Sequence, residues 1–229
     1  MDKDNLSKNT FYLILLTSFM ISTYITANVM AVKLIKIFDL FIIDGGTLVF
    51  PIAFIIGDTL TEIWGFKIAK KVIIVSLACN LFFVLFTYIG TFIKSLDSMA
   101  MIDQAYMTIF NIVPRILLAS IIAFLIGELI NSWIFEKIKN SSRKVDHQPL
   151  WMRIILSSAV GYIFDTLVFV MIAFAGTVTM KDLLSMAIVQ YFIKIILELV
   201  IGTPVTYIIV HCLKKLINEK QEVKNEGFN

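Results

Sequence analysis

The residues that could do chemistry in this chain are ionisable side chains inside its most apolar stretches. Residues 56–65 read I-G-D-T-L-T-E-I-W-G, with Asp58 and Glu62 four positions apart, and the D-T-L triplet recurs at Asp165. The other ionisable residues in apolar stretches are Arg115, Glu128, Lys194 and Glu198. Carboxylates accept hydrogen bonds or carry protons, and lysine and arginine donate. These residue types predict binding or transport of a polar molecule.

The composition is that of an integral membrane protein. Of the 229 residues 59% are hydrophobic and only 16% are charged, and the mean hydropathy is +0.87, whereas soluble domains carry about 25% charged residues. The net charge of +3 comes from basic residues that flank apolar runs, so it does not indicate a nucleic-acid partner. Two cysteines and two histidines, His147 and His211, are too few for a disulfide framework or a zinc cluster. No cofactor is expected, and without a nucleophile–base pair or metal ligands an enzyme is not predicted.

Six segments are long enough to cross a bilayer, which takes about 20 helical residues. The fold class predicted is therefore an all-α integral membrane protein with six transmembrane helices in one domain, residues 1–218, followed by a charged cytoplasmic tail, residues 219–229. Segment 94–112 is predicted as an additional helix lying on the outer face. The predicted spans are about 11–33, 47–65, 72–93, 113–135, 152–176 and 184–210.

The distribution of basic residues predicts the orientation of these spans. With six spans, the loops on the side of the termini hold 14 of the 20 lysines and arginines, and the opposite loops hold four. Because cytoplasmic loops carry the excess of positive charge, both termini are predicted to be cytoplasmic.

The charged residues inside the spans are expected to face one another. Each would cost about 2.5–3.5 kcal/mol in contact with lipid, and helical periodicity places them on polar stripes of four spans. Four such helices around a common centre predict a central polar cavity. The four stripes comprise Asp58, Thr61, Glu62 and Gly65; Ser120, Phe124, Gly127, Glu128 and Asn131; Ser158, Tyr162, Asp165 and Phe169; and Gln190, Lys194 and Glu198, with Thr206 further along.

Several of these residues also have a purely structural interpretation. Glu62 and Glu128 lie toward the cytoplasmic ends of their spans and could reach the headgroups, and Arg115 could do so at the outer end. Lys194 could form a structural salt bridge with Asp165 or with Glu198, one turn along its own helix.

The repeated D-T-L triplet suggests internal symmetry. It begins at Asp58 in the second span and at Asp165 in the fifth, and the polar connector 139–150 separates the two halves. Many transporters consist of two inverted halves with the substrate site at their interface. The repeat thus predicts two inverted three-helix halves, with Asp58 and Asp165 acting as a pair across them as substrate acceptors or proton carriers.

The sequence also resembles the queuosine precursor transporter family, which is also called the vitamin uptake transporters. The most specific match is F-P-I-A-F-I-I-G-D-T-L-T-E-I-W-G-F-K-I-A-K-K from Phe50 to Lys71. The resemblance covers the chain from the first span to the last and implies import of a 7-deazaguanine (preQ0, preQ1 or queuine) into the cytoplasm for tRNA modification. Supporting matches are P-R-I-L-L-A-S at 114–120, D-T-L-V-F at 165–169 and Q-Y-F-I-K at 190–194.

The side chains suit such a substrate. A carboxylate can accept the two parallel donors of a guanine-like edge, lysine, arginine or amide groups can donate to its carbonyl and ring nitrogen, and aromatic rings can stack on it. Lys194 is predicted to donate to the carbonyl or to act as a gate that releases an acid when substrate arrives. In the family pattern Asp58, Arg115, Asp165 and Lys194 are the firmer assignments. The full predicted substrate site is Asn28, Phe50, Asp58, Glu62, Arg115, Asp165, Gln190, Tyr191, Lys194 and Glu198.

Two alternatives remain at this point. The chain could be the substrate-binding subunit of an energy-coupling-factor importer, whose partners dock on small residues of the first helix, as in Ala27-x-x-x-Ala31. An intramembrane enzyme or assembly scaffold is less favoured. The expected partners are the lipid bilayer and a small deazapurine, and a homodimer is left open.

Overall fold

Helices make up nearly all of the part of the chain that the structure describes. The computed structural model describes residues 3–37, 41–112, 114–142, 149–176 and 179–226. Apolar segments form helices here because the backbone N–H and C=O groups of a chain in lipid must bond within the segment. The helices are α1 Lys3–Ala31, α2 Phe50–Trp64, α3 Phe66–Gly90, α4 Ala100–Ile112, α5 Pro114–Ser142, α6 Leu150–Phe174, α7 Met180–Leu197 and α8 Thr203–Glu226.

In the part of the chain that the structure describes, five helical segments are long and apolar enough to cross a membrane, which confirms an all-α, multi-pass membrane protein. The exception among the predicted spans is α2, whose 15 residues cover about 22 Å at 1.5 Å per residue, less than the hydrocarbon thickness of about 30 Å. The count of six spans and the inverted halves therefore stay predictions. The five segments are Asn9–Ala31, Phe66–Gly90, Leu118–Ser141, Leu150–Phe174 and Leu183–Ile217.

Helix α2 lies in the centre of the protein, and 12 of its 15 residues are buried. It packs against α1, α3, α5 and α8. Pro51 occupies its first turn, where the missing backbone N–H costs no helical hydrogen bond. The helix ends at Gly65, whose φ of +80° is a conformation that L-residues rarely adopt. This sharp turn into α3 keeps α2 short.

A β-hairpin precedes α2 and was missed by the sequence analysis, which predicted only a loop there. Strands β1 (Leu34–Ile37) and β2 (Phe41–Asp44) pair antiparallel and lead into a 3₁₀ turn, Gly45–Leu48. Asp44 caps this turn by accepting bonds from the backbone N and the hydroxyl of Thr47, at 3.0 and 2.8 Å. The hairpin and its capped turn therefore hold in place the chain segment that leads into α2.

Helices α5 and α6 pack closely at two glycines. A Cβ at Gly127 would lie 3.1 Å from the carbonyl oxygen of Gly161, and a Cβ at Gly161 would lie 3.0 Å from that of Gly127. Small residues permit this approach of two backbones in membrane helices. The contact also places Asp165 of α6 directly against α5, because a Cβ added at Gly127 would lie 2.5 Å from the Cβ of Asp165.

The sixth predicted span is interrupted rather than continuous. Between α7 and α8 the residues Glu198–Gly202 form a π-helical turn, in which the Thr203 N–H bonds to the Glu198 carbonyl five residues back. Pro204 follows at once and has no N–H to donate. Such turns widen a helix locally and often mark functional positions. Helix α8 then continues to Glu226, through most of the predicted tail.

The segment predicted as an extra helix after α3 does form one, α4, although its placement on the outer face stays a prediction. A short 3₁₀ turn, Asp97–Met99, leads into it. The hydroxyl of Tyr106 donates to the carbonyl of Thr87, at 2.8 Å, and so ties α4 to α3.

Candidate functional site

The polar stripes predicted from the sequence are buried together in the structure. They form three groups along α2, and each group includes at least one residue of α2. We call them the Lys194 cavity, near Phe50; the acid cluster, around Asp58; and the Glu62 hub. Gly65 lies in the turn after α2. The buried stripe members are Asp58, Thr61, Glu62, Ser120, Phe124, Glu128, Asn131, Ser158, Tyr162, Asp165, Phe169, Gln190, Lys194, Glu198 and Thr206.

The Lys194 cavity contains a buried ion pair beneath an aromatic ring. Lys194 Nζ donates to Asp165 Oδ2 at 2.5 Å, with Thr166 Oγ1 at 3.4 Å, and it lies 4.8 Å from the centre of the Phe50 ring. Of the two partners proposed for Lys194 from the sequence, the structure thus shows Asp165. The lysine and its acid come from α7 and α6, so their pairing depends on how these helices pack.

Unpartnered polar atoms surround this ion pair. Asp165 Oδ1 and both amide atoms of Asn28 have no hydrogen-bond partner among the described residues. The cavity has room for one or two water molecules, about 20 Å³, since one water needs about 10–15 Å³ by this measure. A larger ligand therefore requires the cavity to open. The lining residues are Ala27, Asn28, Ala31, Asp44, Gly46, Thr47, Phe50, Ser120, Ala123, Asp165, Phe169 and Lys194.

The acid cluster comprises three carboxylic acids, Asp58 of α2, Glu128 of α5 and Glu198 of the π-helical turn. Their side chains are fully buried, and they are close enough to interact electrostatically. Each accepts one hydrogen bond: from the Asn131 amide, 2.9 Å, the Ser132 hydroxyl, 3.4 Å, and the Tyr162 hydroxyl, 2.7 Å, respectively. None of the salt bridges found among the described residues involves these acids.

Two glycines make room for the carboxylates of this cluster. A Cβ at Gly57 would lie 1.6 Å from Glu128 Oε1, and a Cβ at Gly202 would lie 2.6 Å from the carboxyl oxygens of Glu198. The acids therefore fill space beside the backbone of α2 and of the π-helical turn. Any side chain at either glycine would displace a carboxylate.

The Glu62 hub has an excess of positive charge, in contrast to the acid cluster. Three basic side chains from three helices surround the one carboxylate: Lys139 of α5 at 3.5 Å, Arg153 of α6 at 2.6 Å and Lys214 of α8 at 2.5 Å. Lys139 also donates to the carbonyls of Thr61 and Glu62 at the end of α2. The hub thus ties the last turn of α2 to three neighbours. From the sequence, these bases were counted only as charges that set the topology.

Three residues of the predicted substrate site lie elsewhere or stand alone. Arg115 is exposed, and its guanidinium donates to the carbonyls of Ile172 and Ala175 at the end of α6, at 2.8 and 2.5 Å. Tyr191 is half-buried and lines an apolar pocket between α6 and α7. Gln190 is buried, and neither of its amide atoms has a partner among the described residues.

Asp58 and Asp165 have different partners, the Asn131 amide and the Lys194 ammonium. Their predicted action as a pair across the halves stays a prediction, and in this structure the two acids belong to separate groups. The reason is the close contact of α5 and α6, which places Asn131 beside Gly161 and Asp165 beside Gly127.

Sequence reasoning missed several polar residues of the site. Asp44 and Thr47 line the cavity, and an acid followed three residues later by threonine after a strand is a cap signal that could have revealed them. Tyr24 donates its hydroxyl to the Ser120 carbonyl, 3.0 Å, and packs on Phe124, with 4.0 Å between ring centres. No sequence signal distinguishes this tyrosine from a lipid-facing one.

The small residues considered for docking of a coupling subunit face inward. Ala27 and Ala31 are 2% and 4% exposed, and both line the Lys194 cavity. They present no surface to a partner chain in this conformation, which removes the one sequence feature that favoured the energy-coupling-factor alternative.

Comparison with known proteins identifies the family. Residues 44–209, well over half of the chain, match the sequence profile of the family described as "Putative vitamin uptake transporter". The "Probable queuosine precursor transporter" of Bacillus subtilis (strain 168) is 28% identical over 80% of this chain and 78% of its own. The "Queuosine precursor transporter" of Escherichia coli (strain K12) is 25% identical over 78% of this chain and 77% of its own.

No solved structure matches the chain significantly. The family profile begins at the Asp44 cap and ends within α8, so it includes the acid cluster, the Asp165–Lys194 pair and Glu62. The chain therefore belongs to the vitamin uptake transporter family, which makes it a multi-pass membrane transporter and not an enzyme.

Proposed function

We propose that the protein imports a 7-deazaguanine precursor of queuosine, such as preQ0, preQ1 or queuine, across the cytoplasmic membrane for tRNA modification. The names of the relatives support this substrate class. The observation that carries it here is the buried Asp165–Lys194 pair, which lies beneath Phe50 beside the unpartnered amide of Asn28. A cell that makes queuosine from an external precursor has to import that precursor.

The chemistry of the Lys194 cavity matches a deazaguanine. The N1–H and exocyclic amine of the substrate are parallel donors that the Asp165 carboxylate can accept together. Lys194 then donates to the substrate carbonyl, the Asn28 amide bonds the remaining polar edge, and the Phe50 ring stacks on the bicycle. Substrate thus replaces Lys194 on Asp165, which is the release step expected for a lysine gate.

The small cavity represents an occluded state of an alternating-access cycle. Its volume holds one or two waters, so helices must separate on either side of it to admit a bicyclic base. The Glu62 hub ties the end of α2 to α5, α6 and α8, and Gly46 and Thr47 of the 3₁₀ turn line the cavity. The Arg115, Tyr191 and Gln190 assignments stay proposals for contacts made when the bundle opens.

Complementation tests the proposed function directly. A strain that cannot make queuosine receives the gene and a low external concentration of preQ0, preQ1 or queuine, and queuosine in its tRNA is measured. We expect rescue by the wild type, loss with Lys194→Met or Asp165→Asn, and incomplete rescue with Lys194→Arg, because a planar guanidinium does not replace an ammonium. Lys181→Met, an exposed lysine on the same helix, is the matched control. Absence of rescue with all three compounds, despite membrane expression, contradicts the function.

The proposed topology has six spans with both termini in the cytoplasm of a cell membrane. After Cys79 and Cys212 are replaced, Asn140→Cys should react with an impermeant thiol reagent only in permeabilised cells, and Lys94→Cys should react in intact cells. Labelling of the first variant in intact cells contradicts the topology.

A further inference from the structure

We propose that the acid cluster of Asp58, Glu128 and Glu198 is a proton-binding site, separate from the Lys194 cavity, through which uptake is coupled to proton entry. The coupling rests on the proposed function; the proton site does not. The ligand class follows from the hydrogen-bonding inventory of the cluster, which has acceptors in excess and too few donors.

Among the described residues, one buried oxygen of each acid has no partner: Asp58 Oδ2, Glu128 Oε2 and Glu198 Oε1. Asn131, whose Nδ2 bonds Asp58, adds a fourth acceptor, because its own Oδ1 is buried and unpartnered as well. These four atoms can only accept when the acids are ionised. A ligand that supplies a donor or positive charge is therefore required, and a proton on one carboxyl oxygen supplies both: the resulting O–H can donate to a neighbouring acceptor.

The surroundings offer no substitute for that charge. Tyr162 of α6 faces all three acids and already donates to Glu198. The Asp165–Lys194 pair lies beyond it, with its own lysine engaged. The buried polar side chains that the structure describes on α3 and α8 are neutral: Ser76, Asn80 and Thr206. Buried uncompensated carboxylates are costly, so protons are expected to occupy this site.

A metal ion is a less suitable occupant. Among the described residues, no three acid, histidine or cysteine side chains are arranged to hold one. The acids instead reach the cluster from α2, α5 and the π-helical turn, each beside a glycine or a polar donor of its own. Binding and release of a proton needs only one oxygen of each acid, not a shared coordination sphere.

The connection to the substrate site runs along two helices. Glu198 lies one turn beyond Lys194, at the start of the π-helical turn, and Asn131 and Asp165 lie on the two sides of the glycine contact between α5 and α6. Displacement of Lys194 from Asp165 by substrate would therefore shift elements that also hold the cluster. In the coupled cycle, the proton binds a cluster carboxylate from outside and leaves from the same oxygen to the cytoplasm.

The proton site is tested without any substrate. Infrared spectra of the purified protein in lipid at neutral pH should show the C=O stretching band of protonated carboxylic acids, which should shift on H/D exchange and disappear at high pH. Asp58→Asn, Glu128→Gln and Glu198→Gln should each remove part of that band. Asp97→Asn, at an exposed acid in the turn before α4, should leave it unchanged. A wild-type spectrum without the band, or one that all three substitutions leave intact, overturns the proton site.

Coupling is tested in proteoliposomes that contain a trapped pH-sensitive dye and are given radiolabelled preQ1. An inward proton gradient should raise wild-type uptake several-fold, and uptake should acidify the lumen. Glu128→Gln should retain exchange of labelled for unlabelled preQ1 but lose the response to the gradient. Uptake that depends on sodium, or that ignores the gradient, overturns coupling. Absence of uptake for any deazaguanine overturns the proposed function, and the infrared result then still decides the proton site.

Discussion

Asp58 and Glu62 are carboxylates one turn apart on the same buried helix, and their environments are opposite. Glu62 faces three basic side chains from α5, α6 and α8. Asp58 faces two further acids and receives a single hydrogen bond, from a neutral amide. The comparison shows that two buried acids four residues apart on one helix can have different roles. The role of each acid depends on which side chains of the neighbouring helices contact it.

The two environments have different energetic consequences. In the Glu62 hub the carboxylate compensates cations that three other helices bring into the protein, so its loss leaves those charges buried and unpaired. In the acid cluster each ionised carboxylate adds to an existing excess of negative charge, so neutralisation of one should relieve repulsion. The hub is therefore expected to serve stability, and the cluster to serve transport.

The largest effect on stability is expected from Glu62→Gln. The amide keeps the shape but removes the carboxylate that pairs with Arg153 at 2.6 Å, and removal of one partner of a buried ion pair costs about 3–5 kcal/mol. The melting temperature of the purified protein should fall by several degrees. Asp97→Asn, at an exposed acid outside the hub, is the control and should change little. An unchanged melting temperature for Glu62→Gln would show that the hub does not stabilise the bundle.

A smaller effect is expected from Arg153→Met. The guanidinium is mostly buried and donates to Glu62 at 2.6 Å, but Lys139 and Lys214 still neutralise the acid when it is removed. Loss of one charge-assisted hydrogen bond should cost about 1.5–3 kcal/mol, measured as the same thermal shift. A cost equal to that of Glu62→Gln would mean that the three bases act as one unit rather than as independent partners.

The exposed member of the hub should matter least. The side chain of Lys214 is 49% exposed, and ion pairs that remain solvated contribute at most about 1 kcal/mol. Lys214→Met should therefore shift the melting temperature by less than the other two substitutions, and high salt should abolish even that difference. A large, salt-independent loss would place Lys214 in a drier environment than the structure shows.

Asp58→Asn should have no cost in stability, in contrast to its neighbour on α2. The amide oxygen can still accept the bond from Asn131, and we expect replacement of a buried charge that lacks a basic partner to be neutral or stabilising. Uptake of a deazaguanine should nevertheless be lost. A melting temperature as low as that of Glu62→Gln would remove the distinction between the two acids.

Much of this protein follows from its sequence alone. Composition and apolar run length determine a multi-pass helical membrane protein, and the cost of charge in lipid requires ionisable residues such as Asp58, Asp165 and Lys194 to face inward. Helical periodicity correctly identified the stripes that are buried, because the i, i+4 relation is a local property of one helix. The motif from Phe50 to Lys71 and the shorter supporting matches also indicated the family.

Only the tertiary structure decided which partners these residues have. By sequence, Lys194 could pair with Asp165 or Glu198, and Lys139 and Arg153 counted only as topology charges. The contacts of Arg115 with carbonyls at the end of α6 also appear only in the structure. The length of the apolar runs also did not predict the hairpin before α2 or the π-helical turn in the last predicted span. Periodicity fixes a residue's face on its own helix, whereas hydrogen bonds and ion pairs form between helices, and their packing depends on all of the contacting side chains together.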